Sequence, residues 1–137
     1  MTPEKLTKNF QRCKDWEERY LYLIELGERL ESYPEEQLTD EHKVRGCQSQ
    51  VWLNLSENTG DRVVRFYAFS DAAIVSGLLA LLAIAYNEKT AEQILAFDIE
   101  EWFTSLDLKS HLTPSRTQGL DAIVARIKYQ ANQLMTA

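Results

Sequence analysis

From Val51 the chain reads Val51-Trp52-Leu53-Asn54-Leu55-Ser56, then Glu57-Asn58-Thr59-Gly60-Asp61, then Val63-Val64-Arg65-Phe66-Tyr67-Ala68-Phe69. Val51, Leu53 and Leu55 alternate with Trp52, Asn54 and Ser56, the period-two pattern of a half-buried strand. Val64, Phe66 and Ala68 alternate with Val63, Arg65, Tyr67 and Phe69 in the same way. The five residues between the runs are turn formers, so the two strands form an antiparallel hairpin. A third short strand is compatible with this hairpin, but the pattern assigns it no place.

Both flanks of the hairpin read as helices. Asp71 stands where it can cap a helix from about Ala72 to Tyr86, apolar nearly all round and carrying Gly77 for close packing. That segment falls short of the roughly 20 apolar residues a bilayer requires, so it is expected to be the buried central helix. Thr90 with Gln93, and Asp98 with Glu101, mark two short helices. Thr113-Pro114 opens a last one, with a stripe of Leu120, Ile123, Val124, Ile127 and Leu134. Upstream, Thr2-Pro3 starts a helix carrying Leu6, Phe10 and Cys13 on one face. Asp15 with Glu18 starts another, striped by Trp16, Tyr20, Leu23, Ile24 and Leu30. Ser32 to Arg45 reads as a connecting loop with at most a turn of helix. The expected fold class is α+β, a single domain over residues 1–137 with helices packed on a small antiparallel sheet.

Composition narrows the function classes. The 137 residues are 45% hydrophobic and 26% charged, proportions that exclude disorder and fibrous repeats. A net charge of −6 argues against nucleic acid as a partner. Charge is uneven, however. Residues 42–69 carry 4 basic and 2 acidic side chains, the only locally positive stretch. Two cysteines, Cys13 and Cys47, are too few for a disulfide scaffold or a four-thiolate metal site. The opening residues lack a basic-then-apolar pattern, so a cytoplasmic protein with no membrane partner is expected.

Reactive chemistry is expected at Cys47, inside His42-Lys43-Val44-Arg45-Gly46-Cys47-Gln48-Ser49-Gln50. The cysteine lies on a loop between a polar segment and the first strand. Lys43, Arg45 and His42 could lower its pKa, and Gly46 leaves room for close approach to the sulfur. A buried, inert thiol is the competing reading. Cys13 shares its face with Leu6 and Phe10 and is expected to be core. His42 and His111 show no metal-ligand spacing with the cysteines, and a Cys47–His111 protease pair has no support beyond composition. Glu17-Glu18 and Glu100-Glu101 read as solvated helix faces. No phosphate loop or dinucleotide fingerprint occurs, so neither a bound cofactor nor a metal is expected.

Gly46-Cys47-Gln48-Ser49-Gln50-Val51-Trp52 resembles the active-site signature of the SufE family of sulfur-acceptor proteins. The likeness extends through Asn9-Phe10 with Arg12-Cys13, Trp16-Glu17-Glu18 to Gly27, Ser70 to Val75, and His111 to Arg116 with Gln118-Gly119-Leu120. It points to SufE rather than to the CsdE branch, where Asn-Arg tends to replace Ser-Gln after the cysteine. The resemblance implies a fold like that of the IscU-type scaffolds. It also implies docking on a pyridoxal-phosphate cysteine desulfurase of the SufS type, whose persulfide sulfur passes to Cys47 and on toward a downstream iron–sulfur scaffold. Cys47 then corresponds to the persulfide-forming residue, with Gly46, Gln48, Arg45, Lys43 and Arg116 in support. Such a chain stimulates the desulfurase without being an independent enzyme, and pyridoxal phosphate stays on the partner. Apolar walls from Val51, Trp52 or the central helix are expected to shield the persulfide. Two alternatives stand beside this reading: a binding-only regulator of a desulfurase, and an unrelated helical adaptor.

Overall fold

The computed structural model describes residues 1–136. Strand β1 (Val51–Glu57) pairs antiparallel with β2 (Val63–Ser70), and a two-residue β3 (Lys89–Thr90) adds on the far side of β2. The register Leu53↔Ala68, Leu55↔Phe66 and Glu57↔Val64 puts the inward residues of the two long strands opposite one another. Val51, Leu53, Leu55, Val64, Phe66 and Ala68 are all buried, as the alternation requires. Asn58 anchors the turn: its N–H donates to Val63 O and its side chain accepts from Gly60 N. The third strand escaped the sequence pattern because two residues are too few to show a period.

Among the described residues six α-helices accompany this sheet: α1 (Pro3–Arg12), α2 (Trp16–Glu28), α3 (Ala73–Tyr86), α4 (Ala91–Ala96), α5 (Ile99–Leu106) and α6 (Pro114–Thr136). Helix α3 is the centre, with Leu78, Leu79, Leu81 and Leu82 at 1% exposure or less. Its N-cap is Ala72, with no side-chain cap. A missing cap costs about 1 kcal/mol, whereas each buried leucine contributes about 1.5–3 kcal/mol, so burial holds this helix. Asp71 does not cap it, contrary to the sequence expectation. The Asp71 carboxylate instead accepts from Gln50 N at 3.1 Å, and Ser70 Oγ accepts from Ala72 N.

Gly77 has the expected packing role. A Cβ there would collide with the Leu23 carbonyl of α2, and one on Gly27 would come 2.6 Å from Gly77 N. The two glycines therefore let the backbones of α2 and α3 touch. Thr90 and Gln93 form the expected reciprocal capping box, and Asp98 caps α5 by accepting from Glu101 N. Between α2 and β1 the chain makes only two short 3-10 turns, Glu35–Gln37 and Asp40–His42. Among the described residues no helix is long and apolar enough to cross a membrane.

One expectation about packing fails. Cys13 is not in the core: α1 ends at Arg12, and Cys13 is its C-cap, half-buried with extended backbone. The helical spacing that places Leu6 and Phe10 inside stops one residue before it can place Cys13.

Candidate functional site around Cys47

The loop carrying Cys47 is a small hairpin held at its neck. Lys43 bridges Trp52, and Val44 N donates to Val51 O at 2.8 Å, so residues 45–50 bulge between two paired ends. Gly46 has φ +90°, a conformation that a side-chain-bearing residue adopts at a cost. Its missing Cβ would lie 3.4 Å from the Ala122 methyl of α6. At the other end, Asp71 holds Gln50. The fold thus pins the loop against α6 and the start of α3.

Cys47 is half-buried, and its thiol donates to the Gly119 carbonyl at 3.5 Å. A cavity of about 40 Å³ opens beside it. Val75 and Leu78 of α3 form one wall; Gly119, Leu120 and Ile123 of α6 form another. Gln48, Ser49, Ser115 and Arg116 close the rim. A single water needs roughly 10–15 Å³ of such space, so the cavity takes about three water-sized groups. The central helix lines the cavity with Val75 and Leu78. Val51 and Trp52 do not border the cavity: Val51 is in the core, and Trp52 lies on the opposite face of β1, tilted against Phe69.

Burial pushes the Cys47 thiol up from its ordinary value, with no opposing contribution from a neighbouring cation. The geometry lends no support to the thiolate-stabilising field expected of Lys43, Arg45 and His42. Lys43 places its ammonium 5.7 Å from the centre of the Trp52 ring, Arg45 is exposed, and His42 pairs with Thr39 Oγ1. Strand alternation explains this, since Lys43 follows Trp52 onto the face away from the sulfur.

Arg116 does reach the site. It lines the cavity, and its Nη1 is buried with no hydrogen-bond partner. Cys13 donates to Asn9 O at the end of α1, and its thiol is raised by burial and then by Glu18. His111 is committed elsewhere, stacked on Trp16 with ring centres 4.0 Å apart while its carbonyl accepts from Tyr20. Among the described residues no three histidine, cysteine or acidic side chains converge on a metal position. Glu17, Glu18, Glu100 and Glu101 are exposed, and Glu100 pairs with Lys109. Gly119, Val75, Leu78 and Asp71 are site residues that reading the chain in order did not assign to the site, although Asp71, Val75 and Gly119 lie in stretches that carry the family likeness.

A family model described as "SufE: Fe-S metabolism associated domain" matches residues 4–131. The chain belongs to the SufE family. Its domain is one associated with iron–sulfur metabolism, and the match spans every element from α1 through most of α6. The fold also resembles the solution structure of a hypothetical protein from Thermus thermophilus. That likeness covers 100% of both chains with a TM-score of 0.80 at 21% identity, a similarity of fold alone.

Proposed function

We propose that this SufE-family chain accepts sulfane sulfur on Cys47 from the persulfide of a SufS-type cysteine desulfurase, stimulating that enzyme, and passes it to iron–sulfur cluster assembly. The observation that carries the reading is a thiol on a pinned loop beside a small, largely apolar cavity. That space has room for one extra sulfur.

The chemistry is thiol exchange. The Cys47 thiolate attacks the outer sulfur of the donor persulfide. A sulfur–sulfur bond forms at Cys47, the donor's sulfur–sulfur bond breaks, and the donor cysteine leaves as thiolate. No net oxidation occurs. In the closed loop burial raises the Cys47 pKa and so disfavours the nucleophilic thiolate. Docking that draws residues 45–50 off α6 rehydrates the sulfur and lets it ionise, and return of the loop shelters the product. Breaking a carbon–sulfur bond needs an electron sink, which pyridoxal phosphate supplies on the desulfurase. This chain is a transfer partner and holds no cofactor of its own.

Intact mass after incubation with a desulfurase and cysteine tests the reading. The wild type should gain one sulfur atom that a reductant removes; Cys13→Ser should gain it too, and Cys47→Ser should not. If Cys47→Ser still stimulates the desulfurase fully, the chain is a binding-only regulator.

A further inference from the structure

One face of α6 runs along the whole Cys47 loop at helical spacing. Gly119 touches Cys47, and Ala122 faces Gly46. Next on this face, Arg126 donates from Nη2 to the Glu41 carbonyl. The Gln130 side chain then accepts from Leu55 N at 3.0 Å and donates to Leu53 O, occupying the open edge of β1. These positions are three or four residues apart, the spacing that stacks side chains on one side of a helix. Along this face α6 accepts the thiol hydrogen bond at Gly119, meets Gly46 at the Ala122 methyl, and makes side-chain hydrogen bonds to the chain that leads into and out of the loop.

We propose that Arg126 is a positioning residue for Cys47: by gripping the Glu41 carbonyl it fixes the N-terminal approach to the loop, so that opening is confined to residues 45–50. The proposal rests on the sulfur-acceptor reading for its purpose, but its geometry stands apart from it. Glu41 lies in the 3-10 turn Asp40–His42, just ahead of the Val44–Val51 neck. Without the grip, that turn has no other hydrogen bond to α6 among those of the described residues. The fit is also imperfect. Arg126 Nε is buried without a partner, and so is Arg116 Nη1 in the cavity. Two of the three buried, unpartnered side-chain polar atoms of the described residues thus flank this loop. Arg116 Nη1 is a desolvated donor that water would satisfy if residues 45–50 lifted away, whereas Arg126 keeps its one hydrogen bond to the turn that stays in place.

The test is site-resolved alkylation of the full chain by iodoacetamide, with Cys13 as the internal reference. Arg126→Met should raise the Cys47-to-Cys13 rate ratio about tenfold, the order expected when one charge-assisted hydrogen bond leaves the closed form. Arg126→Lys keeps a cationic donor and should return the ratio to within about twofold of wild type. Amide exchange should quicken over residues 40–50 and stay unchanged in β1 and β2. If Arg126→Met does not fold, Arg126→Gln is read in its place by the same ratio. An unchanged ratio, equal acceleration at both cysteines, or failure of Arg126→Lys to restore it overturns the proposal. A wild type that gains no sulfur from a desulfurase overturns the functional reading instead and leaves the loop result intact.

Discussion

The thiol of Cys47 donates to the backbone carbonyl of Gly119 at 3.5 Å, and a Cβ added to Gly119 would lie 3.6 Å from Sγ. Gly119 is buried within α6, where a glycine weakens the helix. The chain tolerates that loss at the helical position whose carbonyl accepts the Cys47 thiol.

Gly119→Ala should therefore separate stability from function. Ala restores helix propensity worth up to about 1 kcal/mol. The added methyl fits as an ordinary contact with Sγ but narrows the cavity. Thermal unfolding should show a midpoint equal to or above wild type, while the mass gain on Cys47 falls and any persulfide formed is lost faster to added thiol. Full loading with full protection would show that the cavity is not where the sulfur resides.

Alkaline pH should destabilise the fold in part through Cys47. Its folded pKa is raised by burial, so the folded state holds its proton when the unfolded thiol, with a pKa of about 8.5, has lost it. The contribution is complete below that value and is lost as pH rises through the folded pKa. Denaturant titrations between about pH 8 and pH 10 should show wild type losing more stability than Cys47→Ser. Tyr86, pushed up to about 12 by burial, acts at higher pH and is common to both proteins.

Lys43→Gln with Arg45→Gln should leave the pH dependence of Cys47 alkylation where it is in wild type, because burial governs the thiol. A clear upward shift in the double variant would restore the cationic-field reading. Lower affinity for the desulfurase, sensitive to salt, would place both cations in docking.

Asp71→Ala should loosen the loop without harming α3. The carboxylate holds Gln50 N and does not cap the helix. One exposed hydrogen bond contributes about 0.5–1.5 kcal/mol, so unfolding should shift modestly. Cys47 alkylation should accelerate by more than that of Cys13. A large loss of stability with no change at Cys47 would mean that Asp71 serves the helix after all.

Gly77→Ala should be among the most damaging single-methyl additions. The new Cβ meets the Leu23 backbone, which cannot rotate aside as a side chain would. Overpacking of this kind costs about 1–3 kcal/mol or more, and circular dichroism melts should show it. A melt unchanged from wild type would mean that α2 and α3 separate easily.

Much of this protein was determined by its sequence alone. The alternation around Leu53 and Phe66 set the hairpin and its inward face, and the apolar run through Leu78–Leu82 set the central helix. Thr90–Gln93 and Asp98–Glu101 marked helix starts, and the Gly46–Trp52 signature singled out the thiol. These are local signals, carried by residues within a turn or two of one another. Tertiary structure alone decided the environment of that thiol. Asp71 serves the loop rather than the helix, and Lys43 turns to Trp52 instead of Cys47. Gly119, some seventy residues away in the chain, forms the wall against the sulfur. Burial and contact depend on which distant segments meet, and no period within one segment records that. The sequence singled out the thiol; the packing of α3 and α6 over the loop buried it, raised its pKa and left a small cavity beside it.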